Sequence, residues 1–160
     1  MKKKCFTLIL LFTVLLSIFP NNTFASTVTE IIYQDDELIV TSTLTTYDSP
    51  SGIQLFSNTK TKTSSKTVTI TDSTGNTVAT YTLHATFSYN KKSATCTQTH
   101  YSSSIKNNAW GFTARKASKS NNTATGSYTI KNSKSKKTQS SSVRLSCSKN
   151  GTISSLYTSI

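Results

Sequence analysis

Two histidines, a pair of cysteines and one isolated carboxylate are the residues in this chain whose chemistry could go beyond packing. His84 falls on the polar side of an alternating run, and His100 lies near the end of the next one. The two would sit opposite each other if those strands pair. A structural metal site needs about four ligands, and no cysteine or carboxylate lies nearby in sequence to complete a shell. Two solvent-facing histidines are therefore expected.

Nucleophilic catalysis needs a base aligned by a third group. Beyond residue 48, Asp72 is the one acid available to orient a histidine, and a glycosidase would need two carboxyl groups across a cleft. No G-x-G-x-x-G, Walker or H-E-x-x-H pattern occurs. An autocatalytic Lys–Asn cross-link would need an inward lysine, an asparagine and an acid together, whereas the lysines fall mostly in turn-like segments. The expectation is a protein that is not an enzyme, with no cofactor and no metal.

Lysine is the strongest functional hint. The formal charge of the chain is +12. Every acid except Asp72 lies in residues 26–48 (Glu30, Asp35, Asp36, Glu37 and Asp48), where there is no Lys or Arg. An acidic segment thus precedes a basic body, and it is expected to fold back on that body as an electrostatic clamp or to be a cleavable pro-segment. With only Arg115 and Arg144 and no run of aromatics between basic residues, the body offers no specific nucleic-acid surface.

Those side chains must be carried by strands. Ala79, Tyr81, Leu83, Ala85, Phe87 and Tyr89 occupy every second position, with Thr80, Thr82, His84, Thr86 and Ser88 between them. That period of two marks a half-buried strand. Val68 to Thr71 alternates before the turn-forming Asp72-Ser-Thr-Gly75-Asn76. Further strands follow at Ser93–Ser102, around Trp110, Phe112 and Ala114, through Ala124, Tyr128 and Ile130, and through Val143, Leu145 and Cys147. Turns separate them at 103–108, 118–122 and 132–137. Upstream, Ile31-Ile-Tyr33 and Leu38-Ile-Val40 flank Gln34-Asp-Asp-Glu37, which suits a hairpin.

These signals predict an all-β, antiparallel β-sandwich. An immunoglobulin-like topology is suggested by Trp110, 14 positions after Cys96, although Leu145 stands where such domains carry a tyrosine. Cys96 and Cys147 fall on the apolar side of their strands, which predicts one intra-domain disulfide contributing about 4 kcal/mol. Successive turns of an antiparallel fold alternate between its ends. Lys91, Lys92, Lys119 and Lys149 are therefore expected at one end and Lys106, Lys134, Lys136 and Lys137 at the other, making both ends positive.

The N-terminus has the three parts of a secretory signal: Lys2, Lys3 and Lys4, an apolar run from Phe6 to Phe19, and Thr23-Phe24-Ala25. The run is shorter than the roughly 20 residues needed to span a bilayer, so cleavage after Ala25 is expected, removing Cys5 and leaving no transmembrane segment. The expected organisation is a signal peptide at 1–25, an acidic N-terminal arm at 26–56 containing the hairpin, a polar linker at 57–65 and the basic domain at 66–160. The C-terminus has neither a hydrophobic tail nor a sortase-type signal, and the expected product is secreted.

The blocks Thr86-Phe-Ser-Tyr-Asn-Lys-Lys-Ser-Ala-Thr-Cys96 and Val143-Arg-Leu-Ser-Cys-Ser-Lys-Asn-Gly-Thr152, with Asn122-Thr-Ala-Thr-Gly126 between them, resemble a family of small exported proteins of Gram-positive bacteria with no assigned function. The resemblance covers about residues 30–156. It implies bacterial export, the cysteine pair and the strand layout, and supplies no active-site or binding residues. Two roles fit the lysine-rich loops. One is a non-enzymatic module that binds anionic envelope or extracellular polymers such as teichoic acid, acidic glycans or anionic lipid headgroups. The other is a cationic bacteriocin or toxin-like effector acting on other cells' envelopes.

Overall fold

A computed structural model of the chain describes residues 25–48 and 58–160. The expected signal peptide, apart from Ala25, lies outside the described residues, as do positions 49–56 of the expected arm and 57 of the expected linker. Nine strands follow in order: β1 Ala25–Gln34, β2 Leu38–Asp48, β3 Lys60–Asp72, β4 Thr77–Tyr89, β5 Ala94–Ile105, β6 Trp110–Ser120, β7 Thr123–Asn132, β8 Thr138–Cys147 and β9 Ile153–Ser159. They form two antiparallel sheets, β1-β2-β3-β4-β5 and β6-β7-β8-β9. Among the described residues no helix is long and apolar enough to cross a membrane.

Within each sheet every strand pairs with its neighbours in sequence, and one connection, β5 to β6, passes from sheet to sheet. The immunoglobulin-like alternative does not hold, because that topology takes strands of each sheet from non-consecutive parts of the chain. Hairpins suffice here because side chains close the turns. Asp72 Oδ1 accepts the N–H groups of Thr74 and Asn76, Asn90 Oδ1 those of Lys92 and Ser93, and Asn132 Oδ1 those of Lys134 and Ser135.

Alternation places the core between the sheets. Val68, Ile70, Tyr81, Leu83 and Phe87 of the first sheet bury against Tyr128, Ile130, Val143 and Leu145 of the second. The Tyr81 and Tyr128 rings meet across the divide at 5.1 Å. Each such fully buried side chain contributes about 1.5–3 kcal/mol. On the outer face of the larger sheet, Thr29, Thr43, Thr67, Thr82 and Ser102 stand in register across all five strands. Thr29 and Thr43 share a hydrogen bond of 3.0 Å, as do Thr67 and Thr82. The abundant threonine thus stabilises the sheet through β-branched shape and cross-strand pairs.

The acidic segment and linker are not separate from the body. β1 and β2 are the first two strands of the larger sheet, joined by a turn at 35–37, and β2 pairs with β3 from Leu38 opposite Asp72 to Asp48 opposite Lys62. Residues 60–65, expected as linker, begin β3. Ser64 and Lys66 are buried there beside Val68 and Ile70. The inward positions of this half-strand are polar, so no hydrophobic alternation marks it in the sequence.

The expected disulfide is not formed: Cys96 and Cys147 are both buried and both free. The turn between β6 and β7 brings their backbones together, since Asn121 O accepts the Cys96 N–H at 2.7 Å and Asn122 O the Cys147 N–H at 3.0 Å. Each thiol is instead hydrogen-bonded to a backbone carbonyl. Cys96 Sγ donates to Gln98 O at 3.3 Å and Cys147 Sγ to Ser148 O at 3.4 Å. A bulge that takes Thr97 out of register with β4 places Gln98 O within reach of the first thiol. Burial pushes both thiols above the usual cysteine pKa. Both should therefore resist a polar thiol reagent in the folded protein near neutral pH and react at once in denaturant. Immediate labelling without denaturant would contradict this burial.

Candidate functional site

Hairpin geometry sorts the lysines between two ends, and the two ends differ. At one end are the turns β4–β5, β6–β7 and β8–β9, together with the last residue of β2 and the start of β3. The Lys91 N–H donates to Lys149 O at 2.8 Å, tying two of these turns together. Lys92 and Lys119 lie in the same region, with the Lys119 ammonium donating to Thr97 O. Lys60 and Lys62, both expected in the linker, join them at the head of β3. Six lysines thus gather with one acid, Asp48, which pairs with Lys62 at 2.7 Å.

Two adjoining depressions open here. The larger, about 510 Å³, is lined by Leu44, Thr46, Asp48, Lys62, Asn150 and Ile153 among others. The smaller, about 190 Å³, is lined by Asn58, Lys60, Tyr89, Asn90, Lys91 and Asn150. Asn150 belongs to both. The Tyr89 ring lies flat over Gly151, whose φ is +85°, and a Cβ there would come within 2.5 Å of the ring. Charge, amide groups and one fixed aromatic ring share this surface.

The opposite end carries Lys106, Lys134, Lys136 and Lys137, but it is far less positive than expected. The β1–β2 turn brings Asp35, Asp36 and Glu37 to it, and Asp72 closes the neighbouring turn. Four lysines face four carboxylates, and Lys131 at the end of β7 leaves a net of +1. Lys137 contacts Asp35 at 2.6 Å and Glu37 at 3.9 Å. Partial burial would raise the Asp35 pKa, yet the Lys137 ammonium, the Tyr33 hydroxyl and the N–H groups of Glu37 and Leu38 outweigh it and hold Asp35 far below the usual range. Lys136 is turned to Ser133 O at 2.7 Å.

The acidic strands thus meet the basic body through four ion pairs: Asp35–Lys137, Glu37–Lys137, Asp48–Lys62 and Glu30–Lys66. The last is internal. Lys66 is 1 % exposed, and its Nζ donates to Glu30 Oε1 at 3.1 Å and to Ser155 Oγ at 3.0 Å. An inward lysine beside an acid is two thirds of a cross-linking constellation. The third group here is a serine hydroxyl instead of an asparagine amide.

No protein-family model matches this chain. Comparison with curated proteins and with solved structures likewise finds no match.

His84 and His100 stand directly opposite each other in β4 and β5, with rings stacked at 4.6 Å. Asp72, the orienting acid considered in the sequence, is spent on the Thr74 and Asn76 groups of its own turn. It precedes the start of β4, and His84 lies seven residues further along that strand, about 23 Å away at the usual rise. Lys60 and Lys62 are the residues sequence reading missed as part of the folded body. Their spacing of two, in phase with Lys66, Val68 and Ile70, is the signal that could have found them.

Proposed function

We propose that this chain is a secreted, non-enzymatic β-sandwich module that binds an anionic cell-envelope or extracellular polymer through the end formed by Lys60, Lys91, Lys92, Lys119 and Lys149. The resemblance to small exported proteins of Gram-positive bacteria belongs to the same reading. The observation that carries it is the charge difference between the ends. Carboxylates offset the lysines at one end, while the other keeps five lysines with no acidic partner around two adjoining depressions. A solubilising role alone would be served by lysines spread over both ends.

A lysine near an anionic surface contributes about 1 kcal/mol. Replacing Lys91 and Lys149 together with glutamine should therefore weaken retention on immobilised teichoic acid by about thirtyfold. Binding of the unaltered protein should also fall steeply as salt shortens the screening length. The pair Lys134→Gln and Lys136→Gln at the opposite end should leave affinity nearly unchanged. Equal losses from the two pairs, or binding indifferent to salt, would refute the assignment.

A further inference from the structure

We infer that His84 and His100 form a two-imidazole site for a borderline divalent transition-metal ion on the outer face of the larger sheet. The two residues are exact register partners on adjacent strands, so one pairing step of the sheet fixes both side chains. Their rings lie 4.6 Å apart and within 13° of parallel. A shared ion requires that the side-chain torsions turn one nitrogen of each ring toward a common point about 2.0 Å from both.

The surroundings suit a cation. Ser65 is the β3 partner of His84, and the flanking pairs are Thr82 with Ser102 and Thr86 with Gln98. None of these carries a charge, so no ammonium repels a metal at this place. His84 Nε2 lies 3.1 Å from Ser102 Oγ. Where that contact is kept with the hydroxyl as acceptor, Nε2 holds the proton and Nδ1 is the nitrogen left for the ion. Burial, and then the adjacent His100 ring, lower the His84 pKa, which favours the neutral, ligating form. Among the described residues no cluster of three or more His, Cys, Asp or Glu is arranged to hold a metal. The pair would thus supply two nitrogens and leave the remaining positions to water. Cu²⁺ should bind most tightly of the common divalent ions.

The experiment is titration of the purified chain, made without a histidine tag, with Cu²⁺ at neutral pH, followed by calorimetry and electron paramagnetic resonance. The expected result is one Cu²⁺ per chain with a spectrum split by two imidazole nitrogens. His84→Gln and His100→Gln should each weaken binding about tenfold or more, and the double variant should abolish it with an unchanged melting temperature. Ser102→Ala should weaken it less. No binding, or equal binding by the double variant, would overturn the assignment. The site lies on the sheet face away from the lysine-rich end, so teichoic acid retention should be the same in the histidine variants.

Discussion

Alanine in place of Gly126 lowers stability by about 1–3 kcal/mol, and valine lowers it further. Gly126 lies on β7 facing Tyr81 and Leu83 of the other sheet. A Cβ there would sit 2.5 Å from the Tyr81 hydroxyl, 3.1 Å from its Cε1 and 3.2 Å from Leu83 Cδ1. Elsewhere in a strand, the same change gains about 0.5–1 kcal/mol by removing glycine's freedom in the unfolded chain. Gly126 is not among the glycines with positive φ, so its backbone would accept alanine and the contact with Tyr81 decides the sign. That ring cannot move aside freely. It is fully buried, stacked near Tyr128 and Tyr101, and its hydroxyl donates to Lys116 O at 2.7 Å. Burial, with Tyr101 adding to it, pushes the Tyr81 pKa up to about 12, so the proton for that bond is retained. Tyr81→Phe alone should cost about 1 kcal/mol. In that background Gly126→Ala should cost less than in the native chain by about 1 kcal/mol, because the nearest clashing atom is gone. Urea midpoints at unchanged slope measure this cycle, and strict additivity would show that Tyr81 is not the obstacle.

The same residues show why parts of this fold were legible in the sequence and others were not. β4 could be read because Tyr81, Leu83, Ala85 and Phe87 put grease on every second position. The turns could be read because Asp72, Asn90 and Asn132 satisfy backbone N–H groups locally, and the division of lysines between ends followed from counting hairpins. The head of β3 could not, since its inward residues Lys62, Ser64 and Lys66 show no hydrophobic period. An electrostatic clamp was among the expectations, but which acid meets which lysine was hidden, because Asp35 and Lys137 meet over 102 positions of sequence. That meeting is what brings one end close to neutral and leaves the other strongly positive. The cysteines failed in a subtler way. Their inward parity was readable and their burial followed, but a one-residue bulge beside Cys96 offers its thiol a backbone carbonyl that parity does not reveal.

Removing the Lys66 side chain should separate packing from charge inside the sandwich. Lys66→Ala leaves a void in a closely packed interior and should cost about 2–5 kcal/mol. Lys66→Met keeps most of the volume and discards the buried ammonium. Its stranded partner Glu30 is 56 % exposed on its side chain, so water can solvate it at little cost. Methionine should therefore stay within about 1 kcal/mol of the native chain or exceed it. Glu30→Gln does the opposite, leaving the buried ammonium with neutral acceptors, the new amide oxygen and Ser155, and no countercharge. A fully buried pair broken this way would lose about 3–5 kcal/mol, but solvent at Glu30 screens this one, and about 1.5–3 kcal/mol is expected. The ranking methionine, native, glutamine at position 30, then alanine is the signature of a lysine retained at a desolvation cost. Acid provides a second test. The hydrogen bond from Lys66, and then its charge, lower the Glu30 pKa below its ordinary value of 4.5. A carboxylate depressed in the folded state stabilises it above the unfolded pKa, and that contribution is lost as the pH falls through the folded value. The Lys66→Met chain lacks the cause of the depression, so its denaturation midpoint should fall less between neutral pH and pH about 3 than that of the native protein. An identical acid response in the two proteins would mean that Lys66 and Glu30 do not interact across this interior.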